Sequence, residues 1–264
     1  MTRQEFRQMA AEGLVFLDGA TGTNLQEAGM PAGVCPELWV LEHPEVMRHL
    51  QTAYLEAGSR ILYAPTFSGN RVKLKEYGLA DRLDEINRGL MQLTKSVIRE
   101  FTARTGIRAY AAGDLTMTGQ QLAPVGTMTF EELVDIYKEQ VSSLAGAGAD
   151  LFVVETMMSL NECRAALLAV RETVEDLPVM ISLTFQEDGR TFYGTLPESA
   201  VLVLQAMGAD AVGANCSTGP AAMCGVLRAM VKYAVVPVIA KPNAGMPVLA
   251  EGATRFELGA RAFA

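Results

Sequence analysis

Cys216 is the residue of this sequence best placed to act as a reactive thiol or a metal ligand. It ends the apolar run Gly208-Ala-Asp-Ala-Val-Gly-Ala-Asn-Cys216 and precedes Ser217-Thr-Gly-Pro220, where a helix is predicted to begin. A thiol at the carboxyl end of a strand lies where parallel α/β folds keep their chemistry, whereas structural cysteines more often lie inside an element. Three roles stay open: a buried apolar thiol, a nucleophile or a metal ligand.

A cysteine nucleophile needs a nearby base, and histidine is the usual one. The sequence has only two histidines, His43 and His49, and both lie in or beside the first long predicted helix. Their scarcity weakens the interpretation of Cys216 as half of a Cys–His pair. The four cysteines form no CxxC motif and are too sparse for a disulfide framework in a chain of 264 residues. We therefore expect reduced thiols and a cytoplasmic location.

The elements that must position Cys216 alternate between short β-rich runs and helical stretches, as in βα units around a parallel sheet. The predicted strands are 13–17, 60–64, 108–112, 150–155, 178–184, 210–215 and 236–241. The predicted helices lie near 44–57, 81–104, 130–146, 160–174, 198–207 and 220–232. With 50% hydrophobic residues the chain can bury one large core, so a single domain over residues 1–264 is predicted.

A glycine of the kind that ends a helix before a strand recurs four times, and this repeat predicts the number of strands. Gly58, Gly148 and Gly208 lead into predicted strands two, four and six, and Gly259 repeats the signal. The pattern predicts a (βα)8 TIM barrel whose eighth strand starts after Gly259 and is truncated at Ala264.

The segment 243–258, between predicted strands seven and eight, contains Gly245, Pro247 and Gly252 and leaves no room for a good helix. An open barrel exposes unpaired strand edges. We therefore expect that residues of the complete barrel are missing from this segment and after Ala264.

Residues that directly follow each barrel strand converge on one mouth, where the chemistry of such folds takes place. In chain order these residues are Asp18-Gly-Ala-Thr-Gly-Thr23, Pro65-Thr-Phe-Ser-Gly-Asn70, Gly113-Asp114, Glu155-Thr156, Thr184-Phe185, Asn215-Cys216 and Lys241-Pro-Asn243.

The turn from Asp18 to Thr23 offers backbone N–H groups and the hydroxyls of Thr21 and Thr23, which can hold a carboxylate or a phosphate. The same segment also fits a plain strand-to-helix turn with Asp18 as a cap. Glu155 ends an apolar run, and its carboxylate can bind an ammonium group, act as a base or form an internal ion pair. Together these groups would suit a zwitterionic amino acid.

Charge and hydropathy narrow the partners to small molecules or proteins. The formal net charge is −8, and no cluster of Lys or Arg forms a basic patch for nucleic acid or an anionic membrane. No apolar run approaches the roughly 20 residues that span a membrane, and no secretory signal follows Met1.

Seven motifs between Leu17 and about Gly245 form a joint pattern. They are Asp18-Gly-Ala-Thr-Gly-Thr23, Cys35-Pro-Glu-Leu-Trp-Val-Leu-Glu-His-Pro-Glu45, Thr66-Phe-Ser-Gly-Asn-Arg-Val-Lys-Leu74, Val154-Glu-Thr-Met157, Gly194-Thr-Leu-Pro-Glu198, Gly213-Ala-Asn-Cys216 and Lys241-Pro-Asn-Ala-Gly245. Taken together, they resemble the homocysteine S-methyltransferase family, and within it the homocysteine-binding module of cobalamin-dependent methionine synthase.

The resemblance implies a barrel enzyme that transfers a methyl group to homocysteine and so makes methionine. In the family, zinc held by three thiolates binds the substrate sulfur, and Cys216 would be the first of these ligands. The other two are adjacent cysteines in a Gly-Gly-Cys-Cys-Gly motif beyond strand eight, a motif that would follow Ala264. The methyl donor would be a methyl-corrinoid protein, on a separate chain or module, or a small methyl compound.

The resemblance also implies roles for residues of the mouth. The catalytic candidates are Cys216, Glu155 and Asp18, and the substrate-binding candidates are Asp18, Gly19, Ala20, Thr23, Thr66, Glu155 and Asn215. The amino-acid end of homocysteine would lie on the Asp18–Thr23 turn with its ammonium near Glu155, and Asn215 would support Cys216. The segment from Gly113 to Gly119 departs from the family's Gly-Pro-rich pattern, so the side of the mouth that meets the methyl donor stays undefined.

Two other functions stay open. One is a non-catalytic accessory barrel that binds homocysteine but lacks the zinc site, because a single thiolate is a poor ligand set for zinc. The other is an aldolase-like lyase that uses Lys241 as a Schiff-base amine, although a structural or ion-pair role for Lys241 is the simpler interpretation.

Overall fold

The computed structural model describes residues 1–250, 253–256 and 258–263. Its helices are α1 (Arg3–Glu12), α2 (Gly22–Glu27), α3 (Pro36–Glu42), α4 (Pro44–Ala57), α5 (Arg71–Lys75), α6 (Leu83–Thr105), α7 (Phe130–Gly146), α8 (Leu160–Thr173), α9 (Pro197–Ala206), α10 (Pro220–Val231) and α11 (Ala260–Phe263). Its strands are β1 (Ile61–Tyr63), β2 (Tyr110–Leu115), β3 (Leu151–Met157), β4 (Val179–Leu183), β5 (Ala211–Asn215), β6 (Val238–Lys241), β7 (Pro247–Ala250) and β8 (Ala253–Phe256).

Strands β1 to β6 form one parallel sheet, and each strand pairs with the next one along the chain. At least one helix follows each of the first five strands before the next begins, as βα units require. The sheet is curled and forms about half of a barrel. The predicted α/β barrel class is confirmed, and six of the seven predicted strands are present in the predicted order.

Alternating side chains of the strands fill the two faces of the sheet. Ile61 and Tyr63 point to the barrel interior, whereas Leu62 between them packs under the helices. On the interior side Phe6 of α1 joins the first residues of several strands, so α1 covers the amino ends of the strands. The helices pack on the outer face, and this leaves the carboxyl ends of the strands open to a cavity.

Three of the four predicted helix-exit glycines are confirmed. Gly58, Gly148 and Gly208 have φ values of 115°, 92° and 95°, a left-handed conformation that favours glycine. Each lies between a helix and the following strand, and the predicted helices agree with the observed ones to within two residues at each end.

Two predictions differ from the structure. The predicted first strand, 13–17, forms only a single parallel bridge between Leu17 and Ile61, because Phe16 is 62% exposed and does not pack as a strand residue. The eighth strand predicted after Gly259 is not found; instead the carbonyl of Gly259 accepts hydrogen bonds from the N–H groups of Ala262 and Phe263, which makes the helical turn α11.

The segment 243–258 has no helix among its described residues, as predicted. It contains the antiparallel hairpin of β7 and β8, which pair from Pro247–Phe256 to Ala250–Ala253. Residue 264, where the sequence predicted truncation of the last strand, lies outside the described residues. Within the part of the chain that is described, no helix combines the length and hydropathy needed to cross a membrane.

Candidate functional site

A cavity of about 630 Å³ opens at the carboxyl ends of the strands. The residues that line it come from the loops after several strands, as expected for a barrel mouth. Among them are Asp18, Gly19, Ala20, Thr21, Thr23, Glu37, Tyr63, Asp114, Glu155, Thr156, Asn215, Cys216 and Lys241. The structure thus brings together every site residue predicted from the sequence except Thr66.

Thr66 is fully buried and does not line the cavity. Its hydroxyl donates to the carbonyl of Asp114 at 2.9 Å and accepts from the N–H of Asp114 at 3.2 Å. Thr66 therefore joins the loop after β1 to the end of β2, and its role as a substrate contact stays a prediction.

Cys216 directly follows β5 and borders the cavity. Its φ of 58° is left-handed, a strained conformation for a residue with a side chain, and its N–H donates to the carbonyl of Lys241 at 3.1 Å. The amide of Asn215 donates to Cys216 Sγ at 3.4 Å and to Thr156 Oγ1 at 2.8 Å. Asn215 therefore fixes the thiol relative to β3, and its role as a supporting residue in the reaction stays a prediction.

Glu155 and Thr156 lie in an irregular stretch of β3, where the pairing register with β4 shifts between Val154 and Met157. Thr156 has a φ of 60°, and its N–H donates to Asn215 Oδ1 at 3.0 Å. Bulges and register shifts of this kind redirect side chains next to functional sites.

On balance, the surroundings of Cys216 oppose ionisation of its thiol. Burial and the neighbouring carboxylate of Glu155 raise the pKa of the Cys216 thiol, whereas Thr156, Lys241 and Asn215 lower it by less. An isolated Cys216 therefore stays mostly protonated near neutral pH, and this disfavours a free thiolate nucleophile.

Lys241 links the two acids that the sequence singled out. Its Nζ lies 3.4 Å from Asp18 Oδ1 and 3.4 Å from Glu155 Oε2, and 3.8 Å from the centre of the Tyr63 ring. Burial lowers the pKa of Lys241, but Glu155, Tyr63 and Asp18 raise it, and the net pKa lies well above the ordinary value. A protonated, paired ammonium cannot start a Schiff base, so the geometry favours the ion-pair interpretation over the lyase.

Asp18 is 8% exposed and accepts a hydrogen bond from the N–H of Tyr63 at 2.7 Å. Burial raises the pKa of Asp18 to about 6, against the opposing influence of Lys241 and of the Tyr63 N–H. Asp18 thus interacts with the neighbouring strand β1 and does not cap α2, whose N-cap residue Thr21 makes no side-chain cap.

The turn after Asp18 lies close against Tyr54 of α4. The hydroxyl of Tyr54 donates to the carbonyl of Ala20 at 2.8 Å, and a Cβ at Gly19 would lie 2.7 Å from that hydroxyl oxygen. A side chain at position 19 would therefore force Tyr54 to move. The turn therefore sits firmly against α4, with Gly19, Ala20 and Thr23 facing the cavity.

Asp114 is one of the residues of the site to which the sequence assigned no role. It ends the interior face of β2, is 5% exposed and lines the cavity beside Glu155 and Lys241. Its position after a predicted strand placed it at the mouth, but the sequence held no sign of its burial.

The described residues do not form a complete zinc site. Zinc is usually held by three or four protein ligands, mostly Cys, His and carboxylates. Among the described residues, no group of three or more His, Cys, Asp or Glu side chains is close enough together to hold a metal ion. Cys216 therefore fits zinc as one ligand, and the rest of the described chain does not complete the set.

A family model for homocysteine S-methyltransferase matches residues 15–264. The chain therefore belongs to the homocysteine S-methyltransferase family, and the resemblance predicted from the sequence is confirmed.

Curated relatives include methionine synthases of two mycobacteria. The enzyme of Mycobacterium leprae is 32% identical over 254 residues, and that of Mycobacterium tuberculosis is 32% identical over 247 residues. These matches cover 92% and 89% of this chain but only 21% of each relative. The chain thus spans about a fifth of the length of the curated relatives that it matches.

Solved structures of the homocysteine methyltransferase MmuM from Escherichia coli share the fold. The metallated form matches with a TM-score of 0.78 and 21% identity, covering 91% of this chain and 87% of that one. The apo form matches with a TM-score of 0.73 and 20% identity. At this level of identity, the likeness supports the barrel fold.

Proposed function

We propose that this chain binds homocysteine in the cavity at the mouth of the barrel and catalyses transfer of a methyl group to its sulfur, which gives methionine. The observation that carries the proposal is the position of Cys216 on the same cavity as Asp18 and Glu155. Membership of the family and the names of the relatives support the same reaction.

The spacing of the polar groups in the site suits a short amino acid that carries a thiol. The amide of Asn215 lies 3.4 Å from Glu155 Oε2 and 3.4 Å from Cys216 Sγ, so the acid and the thiol are both within reach of one side chain. We place the sulfur of homocysteine at Cys216, its ammonium among the acids and its carboxylate on the turn of Gly19, Ala20 and Thr23. In this orientation a lone pair on the sulfur attacks the methyl carbon, and the donor leaves with the electrons of the broken bond.

Cys216 is proposed as one ligand of a zinc ion whose remaining ligands come from outside the described residues. A bound zinc ion lowers the pKa of a thiol that coordinates it and so supplies a thiolate near neutral pH. The protein's own contribution is to hold Cys216 in place through Asn215 and Thr156.

The methyl donor is proposed to be a methyl-corrinoid protein or module, or a small methyl compound. The methionine synthases that match are about five times as long as the matched segment, which leaves room for other modules in those proteins. We further propose that the chain acts as a single domain in the cytoplasm, which the free state of all four cysteines supports.

Metal analysis and methylation of homocysteine by the full-length protein test the proposal, with the Cys216→Ala variant beside a Cys224→Ala control. Cys224 is an exposed thiol on α10 and does not line the cavity, so its loss is expected to change neither measurement. We expect about one zinc per wild-type chain, and loss of both zinc and activity only in Cys216→Ala. A wild-type protein without methylation activity, or an active Cys216→Ala variant, contradicts the proposal.

The second candidate is an accessory barrel that binds homocysteine without zinc and without turnover. It is supported by the lack of a three-residue ligand group among the described residues. Calorimetric binding of homocysteine to a zinc-free, inactive full-length protein would favour this candidate over the methyltransferase.

A further inference from the structure

Several acids line the cavity, and Lys241, the one lysine among the described lining residues, already contacts two of them. Asp18, Asp114 and Glu155 line it together with Lys241. Lys241 bridges Asp18 and Glu155. These are the two acids that were expected, from the sequence, to bind the ammonium group of a substrate. Asp114 is a further carboxyl group of the lining, beside the already hydrogen-bonded Glu37, and it has no ion pair among the described residues.

The side chain of Asp114 is held in place but has no partner. Its Oδ1 is buried without a hydrogen bond, and the residue is 5% exposed. The backbone of Asp114 is fixed by the hydroxyl of Thr66 at 2.9 Å and lies 3.4 Å from the amide of Gln140. Buried polar atoms in native proteins nearly always have a hydrogen-bond partner. Because Asp114 lines a cavity large enough for a ligand, a bound ligand can supply the missing hydrogen-bond donor to Oδ1.

We propose that Asp114 is a specificity-determining residue that accepts a hydrogen bond from the ammonium group of the amino-acid substrate. The inference rests on the proposed function, because it concerns the same substrate in the same cavity. A further carboxyl group beside Asp18 and Glu155 favours a cationic donor over a neutral one, since an added positive charge reduces the excess of acids over Lys241.

The electrostatics of the empty cavity agree with this role. Burial and the neighbouring Glu155 raise the pKa of Asp114 well above its ordinary range, despite Lys241. A carboxyl group with a raised pKa ionises more readily when a cation binds beside it. The ammonium group of the substrate would be that cation, and it would donate a charge-assisted hydrogen bond to Asp114.

Affinities of two ligands test the proposal. Homocysteine and its des-amino analogue, which keeps the thiol and the carboxylate, are titrated by calorimetry into the full-length wild-type protein and into Asp114→Asn. Because both ligands carry the same thiol, any contribution of a metal to thiol binding cancels in their affinity ratio. We expect the wild type to prefer homocysteine, and Asp114→Asn to lose about tenfold or more of that preference while binding the analogue as before.

Glu162→Gln is the matched control. Glu162 is also 5% exposed, but it accepts from Thr118 and Tyr137 outside the cavity, so this variant should keep the wild-type affinity ratio. An unchanged ratio in Asp114→Asn overturns the inference and leaves the proposed function standing, with a water molecule as the partner of Asp114.

The wild type alone supplies a second measurement that does not depend on how the variant folds. Equal affinity of the wild type for the two ligands also overturns the role of Asp114. If the wild type binds neither ligand, the proposed function fails together with the inference.

Discussion

The two ends of the barrel strands hold buried ion clusters of opposite character. At the amino ends, Asp210 is fully buried among arginines: Arg3 Nε lies 2.9 Å and Arg171 Nη2 lies 2.6 Å from its two oxygens. The N–H of Val179 also donates to Asp210 at 3.0 Å, so both carboxylate oxygens are satisfied. At the carboxyl ends, Asp18 and Glu155 share Lys241 at 3.4 Å, and Asp114 Oδ1 has no partner among the described residues.

The two clusters indicate that the amino ends of the strands serve stability and that the carboxyl ends serve function. The Asp210 cluster joins α1 to the loop before β5 with short contacts. The Lys241 cluster is loose, acid-rich and open to a cavity of about 630 Å³. Barrel proteins in general keep stabilising residues at the amino ends of their strands and chemistry at the carboxyl ends.

The largest expected effect is on Asp210. Asp210→Ala leaves Arg171, whose side chain is 14% exposed, without its buried partner, and we expect the free energy of unfolding to fall by about 3–5 kcal/mol. Denaturant titration followed by circular dichroism measures this loss. Asp176→Ala, which removes an exposed acid, is the control, and a similar small loss in both variants would show that the amino-end cluster is not structural.

Lys241→Met tests whether the mouth cluster is as stabilising as the Asp210 cluster. We expect a loss of about 2 kcal/mol at pH 7, because the two acids lose their shared cation but can bind protons or cavity water instead. Since the pKa of Asp18 is about 6, the loss should shrink at pH 5, where Asp18 is mostly protonated. Lys232→Met, at an exposed position, serves as control. If Lys241→Met lost as much free energy of unfolding as Asp210→Ala, the two clusters would be equally stabilising.

The pH dependence of ligand binding tests the function of the mouth directly. An ammonium group binds better to an ionised acid, and the ionised fraction of Asp18 rises as pH increases through its pKa of about 6. Methionine, whose thioether does not titrate, should therefore bind roughly tenfold more tightly at pH 7 than at pH 5. Asp18→Asn should flatten this step, and a step that persists in Asp18→Asn would assign it to another group.

The smallest expected effect is at the rim of the Asp210 cluster. Arg7 lies 3.5 Å from Asp210 but its side chain is 60% exposed, so Arg7→Ala should cost at most about 0.5 kcal/mol of unfolding free energy. The same denaturant titration measures it. A loss near that of Asp210→Ala would mean that Arg7, and not the buried arginine, neutralises the acid.

The fold was predictable where local signals determine it. Helix periodicity and the exit glycines Gly58, Gly148 and Gly208 act over a few residues, and so the long helices were placed to within two residues. The segment 13–17 has strand-like composition, but the exposure of Phe16 depends on packing that no local pattern encodes. The turn after Gly259 was mistaken for a strand because its sequence resembles the helix-exit glycines, whereas the described residues before it form the β7–β8 hairpin and not a helix.

The site was predictable as a set of positions but not as a set of contacts. Parallel strands bring their carboxyl ends to one face, which placed Asp18, Glu155 and Cys216 together. The bridge from Lys241 to both acids joins residues 223 and 86 positions apart, so it depends on the three-dimensional register of distant strands. The burial of Asp114 likewise depends on packing in three dimensions.

The left-handed backbone at Thr156 lowers the stability of the protein, but the threonine side chain helps to position Cys216. A threonine at a φ of 60° carries a conformational cost of about 1–3 kcal/mol, which neighbouring contacts such as Asn215 must overcome. Glycine at this position would remove the cost and make the protein harder to unfold, yet it would also remove the hydroxyl that Asn215 uses to hold Cys216. Efforts to make this barrel more heat-resistant should therefore begin far from this residue.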